Sequence, residues 1–197
     1  MGFGPPFVGK DTRLDIVRSI ADVGYVSCGD ICRDEIKRDT KIGRAILAHK
    51  KSSGSTLAPT DIILPRIYQE VGVQRKLHRS VILNGFGRQE DQPDPAVEMI
   101  AKFGFTSLAA LWFKADRELC LHRASKRPPR SHGEDDPEKR FDEYVNISVP
   151  AMYKLLDFAS QGFPIQVHYY DCHVEKKMAR VQARQIKAAF CLPNKKK

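Results

Sequence analysis

Apolar and polar positions along the chain follow two patterns, short apolar runs and longer segments with helical spacing. Apolar runs typical of strands lie at residues 25–27, 80–84, 108–113 and 165–170. Helical spacing occupies residues 11–21, 31–50, 60–71, 95–103, 116–126, 138–160 and 174–190, with a turn expected near Asp39. Strands that alternate with helices in this way predict a three-layer α/β fold, in which a parallel sheet has helices on both faces.

The segment before the first predicted helix has the spacing of a phosphate loop. Gly4 and Gly9 are separated by four residues, and Lys10 follows directly. In such a loop the backbone N–H groups converge on phosphate oxygens, the lysine adds a positive charge, and the following helix presents its positive end. The hydroxyl that usually follows the lysine is displaced, because Asp11 holds that position and Thr12 comes next. Taken alone, the segment is either a phosphate loop or an irregular amino-terminal loop.

Composition adds a strong positive charge to a chain long enough for one domain. The 197 residues include 33 Lys and Arg against 24 Asp and Glu, a formal charge of +9. This balance favours an anionic partner, and by itself it leaves nucleotide phosphates, nucleic acid and an acidic membrane surface open. The basic residues are not interleaved with aromatic residues and match no motif that reads nucleic acid, so we expect no specific nucleic-acid partner.

The cysteines and the hydropathy indicate the kind of cellular compartment in which the protein is expected. The five cysteines are an odd number without the paired spacing of a zinc site, which predicts free thiols in a reducing compartment and no zinc. No apolar run is long enough to cross a bilayer, and no signal peptide precedes the first glycines. We therefore expect a soluble, cytoplasmic protein without a membrane partner.

Five segments carry further motif residues in a fixed order over nearly the whole chain. They are the loop at residues 4–12, the Ser-Cys-Gly-Asp-Ile-Cys-Arg segment that ends at Arg33, the Asn-Gly-Phe-Gly-Arg segment with Gln92 four residues beyond it, the pair Arg123 and Arg127, and the acidic pair at 135–136 followed by Arg140 and Tyr144. In order and spacing these segments resemble the adenylate kinase family of nucleoside monophosphate kinases. The displaced Thr12 agrees with that family, in which the lysine is followed by glycine and then threonine.

The resemblance implies a phosphate-loop kinase fold, a parallel five-stranded sheet with a truncated first strand, in a single domain of residues 1–197. It also implies a helical insertion at residues 29–60 that binds the monophosphate, and a short lid at residues 127–137 that has no cysteines and so no zinc. The implied activity is transfer of the terminal phosphoryl group of ATP to a nucleoside monophosphate, most readily AMP, with magnesium bound to the ATP. The implied partners are ATP and the monophosphate, and the expected state is a monomer.

The resemblance further implies the residues of the site. The ATP site would comprise Gly4, Gly9, Lys10, Asp11, Thr12, Arg123 and Arg127. The acceptor site would comprise Cys28, Arg33, Gly85, Arg88, Gln92 and Arg130. The implied catalytic residues are Lys10, Arg88, Arg123 and Arg140, because phosphoryl transfer depends mainly on positioned cations.

Several of these roles have plainer alternatives. Arg127 and Arg130 could be solvated surface side chains, and Gln92 could be an ordinary loop amide instead of the group that reads adenine. Asp30 could be only a helix cap or an acid in the first turn of a helix, where it complements the helix dipole, instead of a water-mediated link to magnesium.

Departures from the family pattern favour a second hypothesis. Phe7 stands where the family has a glycine, Asp11 places a carboxylate beside the phosphates, and Asn84 lacks the charge of the aspartate that holds the water shell of magnesium. Cys28 replaces a threonine, and Gly87 replaces a proline. The alternative is therefore a catalytically weak or inactive nucleotide-binding relative that acts as a regulatory or interaction module.

Overall fold

Five parallel strands form the centre of the molecule. The computed structural model describes residues 1–127, 136–173 and 176–195. The strands are β1 (Gly2–Phe3), β2 (Gly24–Ser27), β3 (Val81–Asn84), β4 (Leu108–Lys114) and β5 (Ile165–Asp171), in the spatial order β2-β3-β1-β4-β5. Every strand pair is parallel. The predicted fold class, with five parallel strands and a truncated first strand, is confirmed.

The shortest strand occupies the centre of the sheet. On one side Gly2 of β1 is in register with Asn84 of β3, and on the other side Gly2 and Phe3 are in register with residues 111 and 112 of β4. Because β1 is only two residues long, it pairs with β3 only at the carboxyl end of that strand and with β4 only near the middle. The loop that follows β1 therefore leaves the sheet at the middle of its carboxyl edge.

Helices cover both faces of the sheet. They are α1 (Lys10–Ile20), α2 (Cys28–Lys37), α3 (Lys41–Ser53), α4 (Thr60–Leu77), α5 (Pro93–Lys102), α6 (Arg117–Ser125), α7 (Pro137–Glu143), α8 (Val149–Ser160) and α9 (Lys176–Ala189). The turn expected near Asp39 is present, since Asp39 has a φ of 50° and Thr40 caps α3. In the part of the chain that the structure describes, no helix has both the length and the apolar character needed to cross a membrane.

Two helix predictions were wrong in their bounds. The helix expected at 60–71 continues to Leu77 in spite of Pro65 inside it, and its buried residues, which end at Val71, all lie within the predicted part. The single helix expected at 138–160 is divided into α7 and α8 by a π-helical segment, Tyr144–Ser148. A wide turn of this kind leaves no signature in hydrophobic spacing, and such turns are frequent at functional sites.

Alternating side chains along the strands build two apolar cores, one on each face of the sheet. In β4, Ala110 and Trp112 pack into the core formed with α4, α5 and α8, whereas Leu111 and Phe113 pack into the core formed with α1 and α9. Successive strand residues point to opposite faces, so a strand covered on both sides must be apolar throughout. This explains the continuous apolar run at 108–113.

The α2–α3 hairpin follows the carboxyl end of β2 and makes up much of residues 29–60. That this segment is an insertion that binds the monophosphate stays a prediction. The two helices of the hairpin cross closely at Gly43, where an added Cβ would overlap the backbone of Glu35. The Glu35 carboxylate, itself buried, accepts hydrogen bonds from Thr40 Oγ1 and, at 3.1 Å, from Arg66 Nε of α4.

We expect Gly43→Ala to lower the free energy of unfolding by on the order of 2–3 kcal/mol, since the helices must separate to admit the methyl group. Urea unfolding followed by circular dichroism measures this. Gly72→Ala in α4 is the matched control, because its Cβ would meet only the edge of the Phe103 ring, at 3.1 Å. There the gain in helix propensity should hold the change within about 1 kcal/mol. Equal effects of the two substitutions would contradict the close-crossing explanation.

Candidate active site

A cleft of about 560 Å³ opens at the carboxyl edge of the sheet. The loop between β1 and α1 forms its floor, and the α6, α7 and α8 regions contribute its walls. In open parallel sheets this edge is where ligands bind. Its lining includes six basic side chains, namely Lys10, Arg13, Arg88, Arg123, Arg127 and Arg140. A cleft with this lining favours an anionic ligand.

The loop at residues 4–9 has the backbone that a phosphate site requires. Gly4 has a φ of 144°, and a Cβ there would lie 2.5 Å from the carbonyl oxygen of Phe113. Gly9 has a φ of 87° and is the N-cap of α1, where no side chain caps the helix. The first N–H groups of α1 are therefore not capped by a side chain, and the positive end of the helix dipole lies at the cleft.

Lys10 lies in a small polar network at the start of α1. Its Nζ donates to Asn84 Oδ1 at 2.6 Å and to Asp11 Oδ1 at 2.9 Å. The Nδ2 group of the buried Asn84 in turn donates to Asp11 Oδ1 at 3.0 Å and to the Tyr25 hydroxyl at 2.7 Å. Burial lowers the pKa of Lys10, nearby Arg88 and Arg140 lower it further, and Asp11 raises it. The lysine is thus held on protein oxygens beside the loop.

Arg88 follows β3 on a loop that depends on glycine and on Gln92. Gly87 has a φ of 77°, which proline cannot adopt, so the glycine in place of the family's proline has a physical reason. The Arg88 N–H donates to Gln92 Oε1 at 2.8 Å. Among the described residues the Arg88 guanidinium has no hydrogen-bond or ion-pair partner, and burial, followed by Arg140, lowers its pKa. Its charge is available to a ligand.

Arg123 connects the loop to the end of β5. Its guanidinium donates to the carbonyl oxygen of Val8 at 2.9 Å and to that of Cys172 at 2.7 Å. These two bonds give it a structural role, and its predicted catalytic role stays a prediction. Arg127 is exposed at the rim of the cleft.

The cleft brings together all of the residues predicted for ATP and for catalysis. These are Gly4, Gly9, Lys10, Asp11, Thr12, Arg88, Arg123, Arg127 and Arg140. Four residues predicted for the acceptor do not line it, namely Cys28, Arg33, Gly85 and Gln92. Arg130 and most of the predicted lid at 127–137 lie outside the described residues.

The acceptor-side residues have partners inside the protein. Arg33 pairs with Asp30 one turn away in α2, and Ser27, not Asp30, is the N-cap of that helix. Gln92 is 4% exposed and uses both ends of its amide, since its Nε2 donates to Thr60 Oγ1 at 3.0 Å. This is the loop-amide arrangement that the sequence left open, and a role in reading adenine stays a prediction.

Several residues of the site could not be found from the sequence. The Arg13 guanidinium is buried, donates from Nε to Gln182 Oε1 at 2.5 Å, and so links α1 to α9 behind the loop. Ser148 of the π-helical segment lines the cleft fully buried, and its hydroxyl has no hydrogen-bond partner within the described ranges. Phe7 has a φ of 62°, and its ring lies under the Arg140 guanidinium, with Cζ 4.9 Å from the ring centroid. These partners are far apart in sequence, so spacing carries no signal of them.

The donor chemistry of the cleft suits magnesium that arrives with a nucleotide. Over the described parts of the chain, no cluster of three or more His, Cys, Asp or Glu side chains is placed to hold a metal ion. Magnesium, however, commonly keeps several waters and is bound through one or two carboxylates together with substrate phosphates. Asp11 and Thr12, at the start of α1, supply a carboxylate and a hydroxyl of this kind.

Comparison with known proteins agrees with the fold and the cleft. No protein-family model matches the chain. The adenylate kinase of Chloroherpeton thalassium is 31% identical over 125 residues, which cover 64% of this chain and 56% of that protein. The adenylate kinase of Xanthomonas euvesicatoria is 28% identical over 153 residues, covering 76% of this chain and 80% of that protein. That of Cyanothece sp. is 28% identical over 160 residues, covering 79% and 78%.

A phosphate loop after a central parallel strand, with a cleft lined by arginines, is typical of the class of nucleotide-binding proteins with an α/β core. The chain thus spans just over half the length of the first of these relatives and about four fifths of the others. Within that class, the chain is similar to the adenylate kinases.

The carboxylate of Asp11 should oppose binding of a phosphate chain. We expect Asp11→Asn to tighten the binding of inorganic tripolyphosphate about threefold to tenfold in magnesium-free buffer of low ionic strength, because one nearby negative charge is removed. Titration calorimetry measures the affinity. Asp15→Asn is the matched control, since the side chains of Asp11 and Asp15 are 60% and 61% exposed, and Asp15 does not line the cleft. Unchanged or weaker binding by Asp11→Asn would overturn this expectation.

Proposed function

We propose that this chain is a nucleoside monophosphate kinase that transfers the terminal phosphoryl group of ATP to AMP and so forms two molecules of ADP. The observation that carries the proposal is the convergence of Lys10, Arg88 and Arg140 on one cleft at the positive end of α1. Each of the two arginines lowers the pKa of Lys10, so the three charges act on the same space. The similarity to adenylate kinases agrees with this reaction.

The cations have separate tasks in this proposal. Charge spread over the moving phosphoryl oxygens is stabilised by positioned cations and amides, so little covalent chemistry is required of the protein. Arg88 holds the acceptor phosphate with its planar fork, and Arg140, with Arg123 and Arg127, closes over the donor phosphates. Lys10 exchanges its bonds to Asp11 and Asn84 for the migrating phosphoryl group.

Magnesium bound with ATP would neutralise part of the phosphate charge, and Asp11 and Thr12 are the residues that would face it. The loop itself contributes N–H groups at Gly9 and Lys10. Water must also be excluded, because it would compete as acceptor, and we assign this task to the lid at 127–137 and the insertion at 29–60.

The acceptor base is the finer part of the proposal. Cys28, Arg33, Gly85 and Arg130 belong to the acceptor side, with Gln92 as the reader of adenine. For that role the Gln92 amide must exchange its bond to Thr60 or to the Arg88 N–H for one to the base. A regulatory module without activity has no support from the relatives, which carry the name of the enzyme.

A coupled assay of ADP formation with ATP and AMP, CMP, UMP or GMP tests the proposal. We expect transfer to AMP to be the fastest. Arg88→Lys should lower kcat by about 100-fold, since an ammonium cannot reproduce the bidentate contact to a phosphate. The control is Arg18→Lys, an exposed arginine paired with Asp15 outside the cleft, which should stay within about twofold of the natural chain. No transfer to any of the four monophosphates at high enzyme concentration would refute the proposal.

A further inference from the structure

Phe7 occupies a backbone conformation that costs free energy. Its φ of 62° lies in the left-handed region, where the Cβ of an L-residue crowds the following carbonyl group. Glycine adopts this conformation without that cost. Phe7 lies in the floor of the ligand cleft, and such strain persists only where the surrounding structure compensates for it.

The Phe7 side chain contacts Arg140. The Arg140 Cζ lies 4.9 Å from the centroid of the Phe7 ring, within the range of a cation–π interaction. Phe7 belongs to the loop after β1 and Arg140 to α7, so the contact joins the floor of the cleft to its wall. The ring also packs against the buried core that contains Val8 and Phe141.

An aromatic face suits this position electrostatically. Arg140 lowers the pKa of both Lys10 and Arg88, which places three positive charges close together. These charges repel one another when no anion is bound. A ring face attracts a guanidinium through its quadrupole but carries no net charge, so it holds Arg140 without adding a negative charge to the cleft.

We propose that Phe7 is a positioning residue, whose ring holds the Arg140 guanidinium against the phosphate loop for the donor phosphates. The proposal rests on the proposed function, which assigns Arg140 to those phosphates. In this proposal, the loop lacks the backbone freedom that glycine would give at position 7, and in exchange the Phe7 ring fixes the position of the Arg140 guanidinium.

A double-mutant cycle tests the coupling between the two residues. The proteins are the natural chain, Phe7→Leu, Arg140→Gln and the double variant, and the measurements are the dissociation constant of ATP by calorimetry and kcat and KM for phosphoryl transfer. Phe7→Leu should weaken ATP binding about threefold to tenfold. In the Arg140→Gln background the same change should have less than a twofold effect, because the guanidinium is already absent. Phe7→Tyr, which restores an aromatic face, should recover the affinity.

Two controls separate positioning from general damage. Phe105→Leu removes a matched contact, with Arg75 Cζ 5.0 Å from the Phe105 ring outside the cleft, and should leave ATP affinity within about twofold. Phe7→Gly removes the ring and the backbone strain together, so it should fold stably and still bind ATP as weakly as Phe7→Leu. Thermal unfolding of each variant verifies that it is folded.

Two results would overturn the inference: natural affinity in Phe7→Leu or Phe7→Gly, or an equal loss of affinity with and without Arg140. Absence of phosphoryl transfer in every protein, including the natural chain, would refute the proposed function instead. The cycle in ATP affinity would then still decide whether Phe7 positions Arg140.

Discussion

The pairing of a two-residue strand at the centre of the sheet determines the geometry of this molecule. Gly2 and Phe3 are held between β3 and β4, and the chain leaves that position directly into the phosphate loop. Because all five strands are parallel, their carboxyl ends meet at one edge, and residues distant in sequence arrive beside the loop. Arg88 comes from the segment after β3, and Arg123 from the helix after β4. Few backbone hydrogen bonds thus position the floor of the cleft, and the side chains around it add further connections.

Those connections share one electrostatic character. Arg123 is held by two backbone carbonyl groups, Arg140 lies on the face of an aromatic ring, and Lys10 is shared between a carboxamide and a single carboxylate. Carbonyl dipoles and a ring quadrupole orient cations without adding negative charge to the cleft. Part of the excess of basic residues in the composition is therefore concentrated in one place, a cleft lined by six basic side chains.

The sequence was sufficient for the architecture and for the backbone of the site, and insufficient for its side-chain partners. Strands such as β4 could be predicted because burial on both faces demands an uninterrupted apolar run, and the glycines of the loop because their backbone geometry restricts the residue type. The bond from Lys10 to Asn84 crosses 74 positions, and no periodicity reports such a pairing. The family pattern presented Phe7 only as a departure from glycine, since the arginine that contacts its ring comes from α7, far along the chain. Gln92 was recognised as important, but its bonds to Thr60 and to the Arg88 N–H depend on how two loops pack.

The π-helical segment at residues 144–148 sets the angular phase between two parts of one long helical region. One residue added to a helical turn shifts everything beyond it by about 100° around the axis. The face of α7 that carries Arg140 toward the loop is thereby uncoupled from the face of α8 that buries Met152 and Leu155 in the core. In a regular helix the angle between these two faces would be fixed by the helical repeat alone. With the π-helical segment, the same stretch of chain can bury residues of α8 in the core and direct a residue of α7 into the lining of the cleft.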